Sequence, residues 1–126
     1  MAALKIEPAD DSPLVILDKE NEVFEISGKS MPEDVIGFYQ PVFEWITKYN
    51  LDPVQETVFV FKLIYFNTAS SKVFLDILMM LEEIHQKGSE VLIKWHSLPN
   101  DEDMRDAGEE YAEMTGLPFE YHIFEL

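Results

Sequence analysis

A chain of 126 residues with 47% hydrophobic and 27% charged side chains has the size and composition of one folded domain with a real core. Its 25 acidic residues against 9 basic ones give a formal net charge of −16, a surface that repels phosphate backbones and anionic lipid and suits a basic partner. There is no cysteine, which removes disulfides, thiolate metal sites and cysteine nucleophiles together, and no apolar run approaches the roughly 20 residues of a membrane helix.

The first eleven residues are acidic where a signal peptide needs a basic start and an apolar stretch, so the expected location is the cytoplasm. A weak strand signal lies at residues 4–7. Two β-prone runs, 14–17 and 22–27, flank the polar stretch Asp18-Lys19-Glu20-Asn21 and predict a hairpin. Ser30-Met31-Pro32-Glu33 then has the spacing of a capping box. Behind it Val35, Tyr39, Val42, Ile46 and Tyr49 recur at helical intervals. Pro41 cannot donate to the carbonyl of Gly37, so a bend is expected there.

Residues 56–65 are almost continuously apolar, the pattern of a central strand. Alternation groups Lys62 with Val58, Val60 and Ile64, and in a second such strand, 91–96, groups Lys94 with Leu92 and His96. Two lysines at matching places imply a sheet face only partly covered, with each side chain reaching past its neighbours to water. Between the strands, Val73, Phe74, Ile77, Leu78, Leu81 and Ile84 mark a helix over 70–86, stopped by Lys87-Gly88. Strand, helix and strand at this length form a right-handed βαβ unit with parallel strands. A third helix, 101–115, places Met104, Ala107, Gly108, Tyr111 and Met114 on one side, and residues 119–124 form a last strand at an edge. The expected fold is a single α/β domain over residues 1–126, a mixed sheet with helices packed mainly on one face.

Chemistry is sparse. Glu82 and His85 have the i, i+3 spacing of half a di-iron carboxylate site, but no second Glu-x-x-His faces them. The acids from Asp101 to Glu113 lack the ligand pattern of a calcium loop and read as the solvated side of a helix. No Gly-rich phosphate loop or nucleophile elbow is present, and no carboxylate pair is singled out for acid–base work. Neither a metal, a cofactor nor a catalytic residue is expected.

One segment stands apart, Tyr65-Phe66-Asn67-Thr68-Ala69-Ser70-Ser71-Lys72, where a central strand gives way to a helix. Sites in α/β folds gather beyond the carboxyl ends of parallel strands. Asn67, Thr68, Ser70 and Ser71 are four candidates for a helix cap that needs one. The free N–H groups of a helix start also favour a phosphate, and Lys72 lies one turn beyond Thr68.

The same segment, with Leu81-Glu82-Glu83-Ile84-His85-Gln86-Lys87-Gly88, Trp95-His96, Asn100-Asp101-Glu102-Asp103-Met104 and Gly108-Glu109, resembles the SiaC family of bacterial regulatory phosphoproteins over nearly the whole chain. The resemblance implies a STAS-like fold, that of the anti-sigma-factor antagonists, and a partner switch. It implies phosphorylation of Thr68 by a serine/threonine protein kinase, reversal by a PP2C-type phosphatase, and binding and activation of a diguanylate cyclase by the unphosphorylated form. Cyclic-di-GMP would then rise and favour biofilm or aggregation. Ala69 stands where the family pattern has a serine, leaving Ser70 and Ser71 as secondary candidates for modification. Asn67, Thr68, Ser70, Ser71 and Lys72 are the expected partner-binding surface. Two other functions are open to the same sequence. One is an anti-sigma-factor antagonist acting on transcription. The other is a small carboxylate enzyme, which would require a concave pocket of converging acids with perturbed pKa.

Overall fold

Apolar side chains alternate along the strands of the computed structural model, which describes residues 1–126, and the alternation assigns them to one face of a six-stranded sheet. The strands are β1 (Leu4–Ile6), β2 (Leu14–Asp18), β3 (Val23–Ser30), β4 (Glu56–Phe66), β5 (Glu90–Ser97) and β6 (Phe119–Ile123). The helices are α1 (Val35–Tyr49), α2 (Thr68–Gln86) and α3 (Glu102–Thr115). Strand order across the sheet follows the sequence. β1, β2 and β3 pair antiparallel, which bears out the hairpin and the weak first strand. β3, β4, β5 and β6 run parallel, joined in turn through α1, α2 and α3. Right-handed crossovers that always step in the same direction put every helix on the same side of the sheet.

That side is the core. Val15, Leu17, Phe24, Ile26, Phe59, Phe61, Leu63, Ile93 and Trp95 point into it and meet Tyr39, Val42 and Ile46 of α1, Phe74, Ile77 and Leu78 of α2, and Tyr111 of α3. The opposite alternation, Val58, Val60 and Lys62 on β4 and Leu92, Lys94 and His96 on β5, is only half-buried. Lys62 reaches over the Phe124 ring, 5.3 Å from its centroid. The expectation of one covered face and one open face, with lysines on the open one, holds.

Two glycines are fixed by close approach. Gly108 lets α3 lie directly on the indole of Trp95: a Cβ there would stand 2.5 Å from Trp95 Cδ1. Trp95 Nε1 in turn donates to the Met104 carbonyl at 2.8 Å, locking the helix to the sheet. Gly37 makes room for Asp34, whose Oδ1 accepts from Gly37 N at 3.1 Å. Asp34 is therefore the N-cap of α1, and the expected Ser30–Glu33 capping box is wrong. Ser30 is the last residue of β3 and fully buried; its hydroxyl bonds to groups from two helices, as described below. α1 continues through Pro41 without interruption.

Candidate functional site

The carboxyl edge of the parallel strands is where β3 and β4 hand over to α1 and α2. β3 and β4 end side by side, with Ser30 opposite Phe66. Asn67 follows in extended conformation, and its Oδ1 accepts from Ser70 N at 2.9 Å. Of the four cap candidates Asn67 is the cap, and α2 starts at Thr68, two residues before the expected start. The backbone closes the junction as well, since Asn67 N donates to the Ser30 carbonyl at 3.1 Å and Ser71 N to the Asn67 carbonyl at 3.0 Å.

The hydroxyls of this turn separate into distinct roles. Ser70 is fully buried. Its Oγ donates to the Ser30 carbonyl at 2.9 Å and accepts from Ser30 Oγ at 2.8 Å. Because the Ser30 proton is committed to Ser70, the 2.6 Å contact between Ser30 Oγ and the Tyr39 hydroxyl has Tyr39 as donor. Burial pushes the Tyr39 phenol well above its ordinary pKa, which keeps that donor protonated. One buried chain of hydroxyls thus ties β3, α1 and α2 together beneath the turn.

Ser71 is half-buried and donates through Oγ to the Thr68 carbonyl at 2.6 Å. From α3, the Tyr111 hydroxyl donates to the Ser71 carbonyl at 2.7 Å; burial, reinforced by Glu110, raises that phenol's pKa. Thr68 is exposed, and its hydroxyl makes no hydrogen bond within the protein. Lys72 is exposed one turn further on and enters none of the ion pairs. No acidic side chain occupies the first turn of α2, so the positive end of its dipole faces solvent uncompensated at Thr68.

Of the five site residues expected from the sequence, Asn67, Thr68, Ser71 and Lys72 gather at the head of α2, and Ser70 lies beneath them in the interior. Ser30, Tyr39 and Tyr111 were missing from the expected set. Ser30 and Tyr111 act across 40 residues, on Ser70 and Ser71 respectively, and Tyr39 joins from the next element, nine residues from Ser30; local spacing carries no signal for such pairs.

The requirements of a carboxylate enzyme are met poorly. A hollow of about 210 Å³ beside Tyr65 and Phe66 contains Asp101 and Asp103, but Asp101 Oδ1 is engaged as the cap of α3, accepting from Met104 N at 3.1 Å. Its volume lies below the range of ordinary small-molecule clefts. The Asp18 carboxyl is held low by hydrogen bonds from Asn21, in the hairpin turn at the opposite end of the strands.

The sheet thus carries its helices on one face and displays a free hydroxyl at the head of α2. The chain belongs to the SiaC family of regulatory phosphoproteins, whose family model matches residues 6–124. A relative from Pseudomonas aeruginosa (strain UCBPP-PA14), itself uncharacterised, is 30% identical over 119 residues, 94% of each chain. Apo-SiaC from Pseudomonas aeruginosa superposes with a TM-score of 0.87 at 29% identity, covering 97% of this chain and 99% of that one. The crystal structure of the Pseudomonas aeruginosa diguanylate cyclase SiaD in complex with its activator SiaC gives a TM-score of 0.89 at 29% identity, over 96% of this chain and 99% of the matched chain. The expected family and fold are both borne out. No helix is long and apolar enough to cross a membrane.

Proposed function

We propose that this chain is a cytoplasmic switch protein that binds and activates a diguanylate cyclase while Thr68 carries a free hydroxyl. The observation that carries the reading is the separation of roles at the head of α2. Asn67 caps, Ser70 is buried, Ser71 is bonded back to the Thr68 carbonyl, and only Thr68 offers an exposed hydroxyl without a protein partner. The relative's complex with SiaD supports a cyclase as the output partner.

In the cycle, a serine/threonine kinase transfers the γ-phosphoryl group of ATP to Thr68 Oγ1. The hydroxyl proton passes to the kinase's base and ADP leaves. A PP2C-type phosphatase hydrolyses the ester and returns threonine and inorganic phosphate. Asn67, Thr68, Ser71 and Lys72 form the surface the partner reads, and Ser70 supports it from below.

The test begins with phosphopeptide mapping of the protein from its own host, before and after phosphatase treatment, followed by cyclic-di-GMP synthesis assays with each form. A single phosphate on Thr68 that abolishes activation supports the reading. Phosphorylated protein that activates the cyclase as well as the unmodified form overturns it.

A further inference from the structure

β6 is the least anchored of the parallel strands. β3, β4 and β5 each carry fully buried side chains, whereas no residue of β6 is fully buried. What holds it is the backbone ladder to β5. Ile93 N donates to the Pro118 carbonyl and Phe124 N to the Ser97 carbonyl, both at 3.0 Å. Strand periodicity of two turns the amides of Glu120 and His122 toward β5 as well. Local opening starts from elements with few buried contacts, and β6 is such an element.

On the open face of the sheet two histidines bridge this ladder. His96 of β5 and His122 of β6 are register partners, and their rings stack 25° from parallel with centroids 4.9 Å apart. Lys62 of β4 is the register partner of His96 on its other side. Three side chains able to carry positive charge therefore stand in one row across three strands. Phe124 closes over the row, with Lys62 Nζ 5.3 Å from its centroid and the His96 ring at 6.3 Å. The acids are unevenly placed. Glu120 Oε1 meets His122 Nε2 at 2.6 Å, whereas His96 Nδ1 is buried without a hydrogen-bond partner. The remaining charges acting on His96 are Glu25 on β3 and Lys94 on its own strand.

We infer that the stacked His96–His122 pair is an acid-sensitive latch between β5 and β6, closed while it holds at most one proton and opened as the second arrives. The first proton goes to His122, where Glu120 meets it. The second must enter His96 against burial, His122 and Lys62, with Glu25 opposing them, and these hold the His96 pKa below its ordinary value. Lifting β6 away returns both rings to water and ends the like-charge contact, so protonation and opening favour each other. The open form exposes the backbone edge of β5, a template for strand pairing. The latch does not depend on the reading of Thr68.

Amide exchange followed across pH reads the latch strand by strand. Between pH 7.5 and pH 5.5 the protection factors of Glu120, His122 and Phe124, corrected for intrinsic rates, are expected to fall by up to about tenfold. That is the limit for one proton taken up with a free pKa of about 6.5. Amides of β3 and β4 should hold. The fall should vanish in His96→Gln and shrink in His122→Gln, both checked for folding by melts at pH 8. No fall in wild type, an equal fall in every strand, or an undiminished fall in either variant overturns the latch. Should a variant fail to fold, the histidine ring signals of wild-type protein decide: His122 titrating above His96 supports the latch, and His96 titrating with or above His122 refutes it.

Discussion

Ser70 and Thr68 stand two residues apart, and removing their hydroxyls is expected to have opposite consequences. Ser70→Ala deletes the donor to the Ser30 carbonyl and the acceptor for Ser30 Oγ. The carbonyl keeps a partner in Asn67 N, so it is not orphaned. The Ser30 hydroxyl is less fortunate. Its remaining neighbour is Tyr39, at 2.6 Å, and two hydroxyls sharing one contact leave one buried proton without an acceptor. An unsatisfied buried donor costs about 1–3 kcal/mol, and the better helix propensity of alanine returns roughly 0.5 kcal/mol of it. The net loss is about 0.5–2.5 kcal/mol. With an unfolding entropy of about 2.1 cal/mol/K per residue, ~0.26 kcal/mol/K for this chain, the melting temperature falls by roughly 2–10 °C. Thr68→Ala removes an exposed hydroxyl with no protein partner, so stability stays within about 0.5 kcal/mol. Thermal melts paired with kinase assays separate the two: Ser70→Ala should be destabilised yet phosphorylated on Thr68, and Thr68→Ala stable yet unphosphorylated. A Ser70→Ala protein as stable as wild type would refute the assignment of Ser70 to the buried chain. Phosphate found on Ser70 of the native protein would refute it equally.

Asn67→Ala should cost about 1 kcal/mol through the lost cap, whereas Asn67→Asp keeps an acceptor at the positive helix end and should be neutral or stabilising in urea titrations. Gly108→Ala drives a methyl group to 2.5 Å from the buried Trp95 ring, and overpacking of this kind costs about 1–3 kcal/mol, visible as altered near-ultraviolet circular dichroism of the indole. The pKa of His96 is lowered, first by burial and then by His122 and Lys62, with Glu25 opposing. The unfolded state therefore binds that proton more readily, so the contribution of His96 to stability is present above the unfolded value of about 6.5 and is lost as pH falls from there through the lower folded-state value. Melts from pH 8 to pH 5 should show a smaller acid-side loss in His96→Gln than in wild type, and equal losses would contradict the sign.

The elements legible in the sequence are those whose periodicity is set by a single covered face. Between their polar ends β4 and β5 are apolar apart from Lys62 and Lys94, and both lysines lie on the side that no helix covers. α2 shows its buried stripe over two full turns and more, from Val73 to Ile84. What misled was the junction. Ser30-x-x-Glu33 imitates a capping box, yet β3 continues to Ser30 because the serine's partners, Tyr39 and Ser70, come from elsewhere in the chain and outweigh a local cap. Asp34 caps instead, in the space Gly37 provides. The inward position of Ser70 did have a signal: it shares helical phase with Val73, Phe74 and Ile77, while Thr68 shares phase with Lys72 and Met79. Treating the four cap candidates as equivalent overlooked that phase.

On the proposed reading, the chemistry of the switch is set by contrast with its surroundings. A phosphate adds about −1.5 to −2 charge at neutral pH, a small increment on −16, so the long-range field of the protein barely changes. Locally the change is large. The phosphate arrives at the uncompensated positive end of α2, beside free N–H groups and one turn from Lys72, where an anion is favourable by about 0.3–1 kcal/mol. The free protein thus accepts the modification without loss of stability. The burden falls on the bound state, where a partner covering Thr68 must bury a dianion or abandon the surface. A buried hydroxyl chain of Ser30, Tyr39 and Ser70 under an exposed threonine suits that task, because it holds the helix head in one place in both states. The two forms then differ in surface chemistry, and the fold beneath them stays the same.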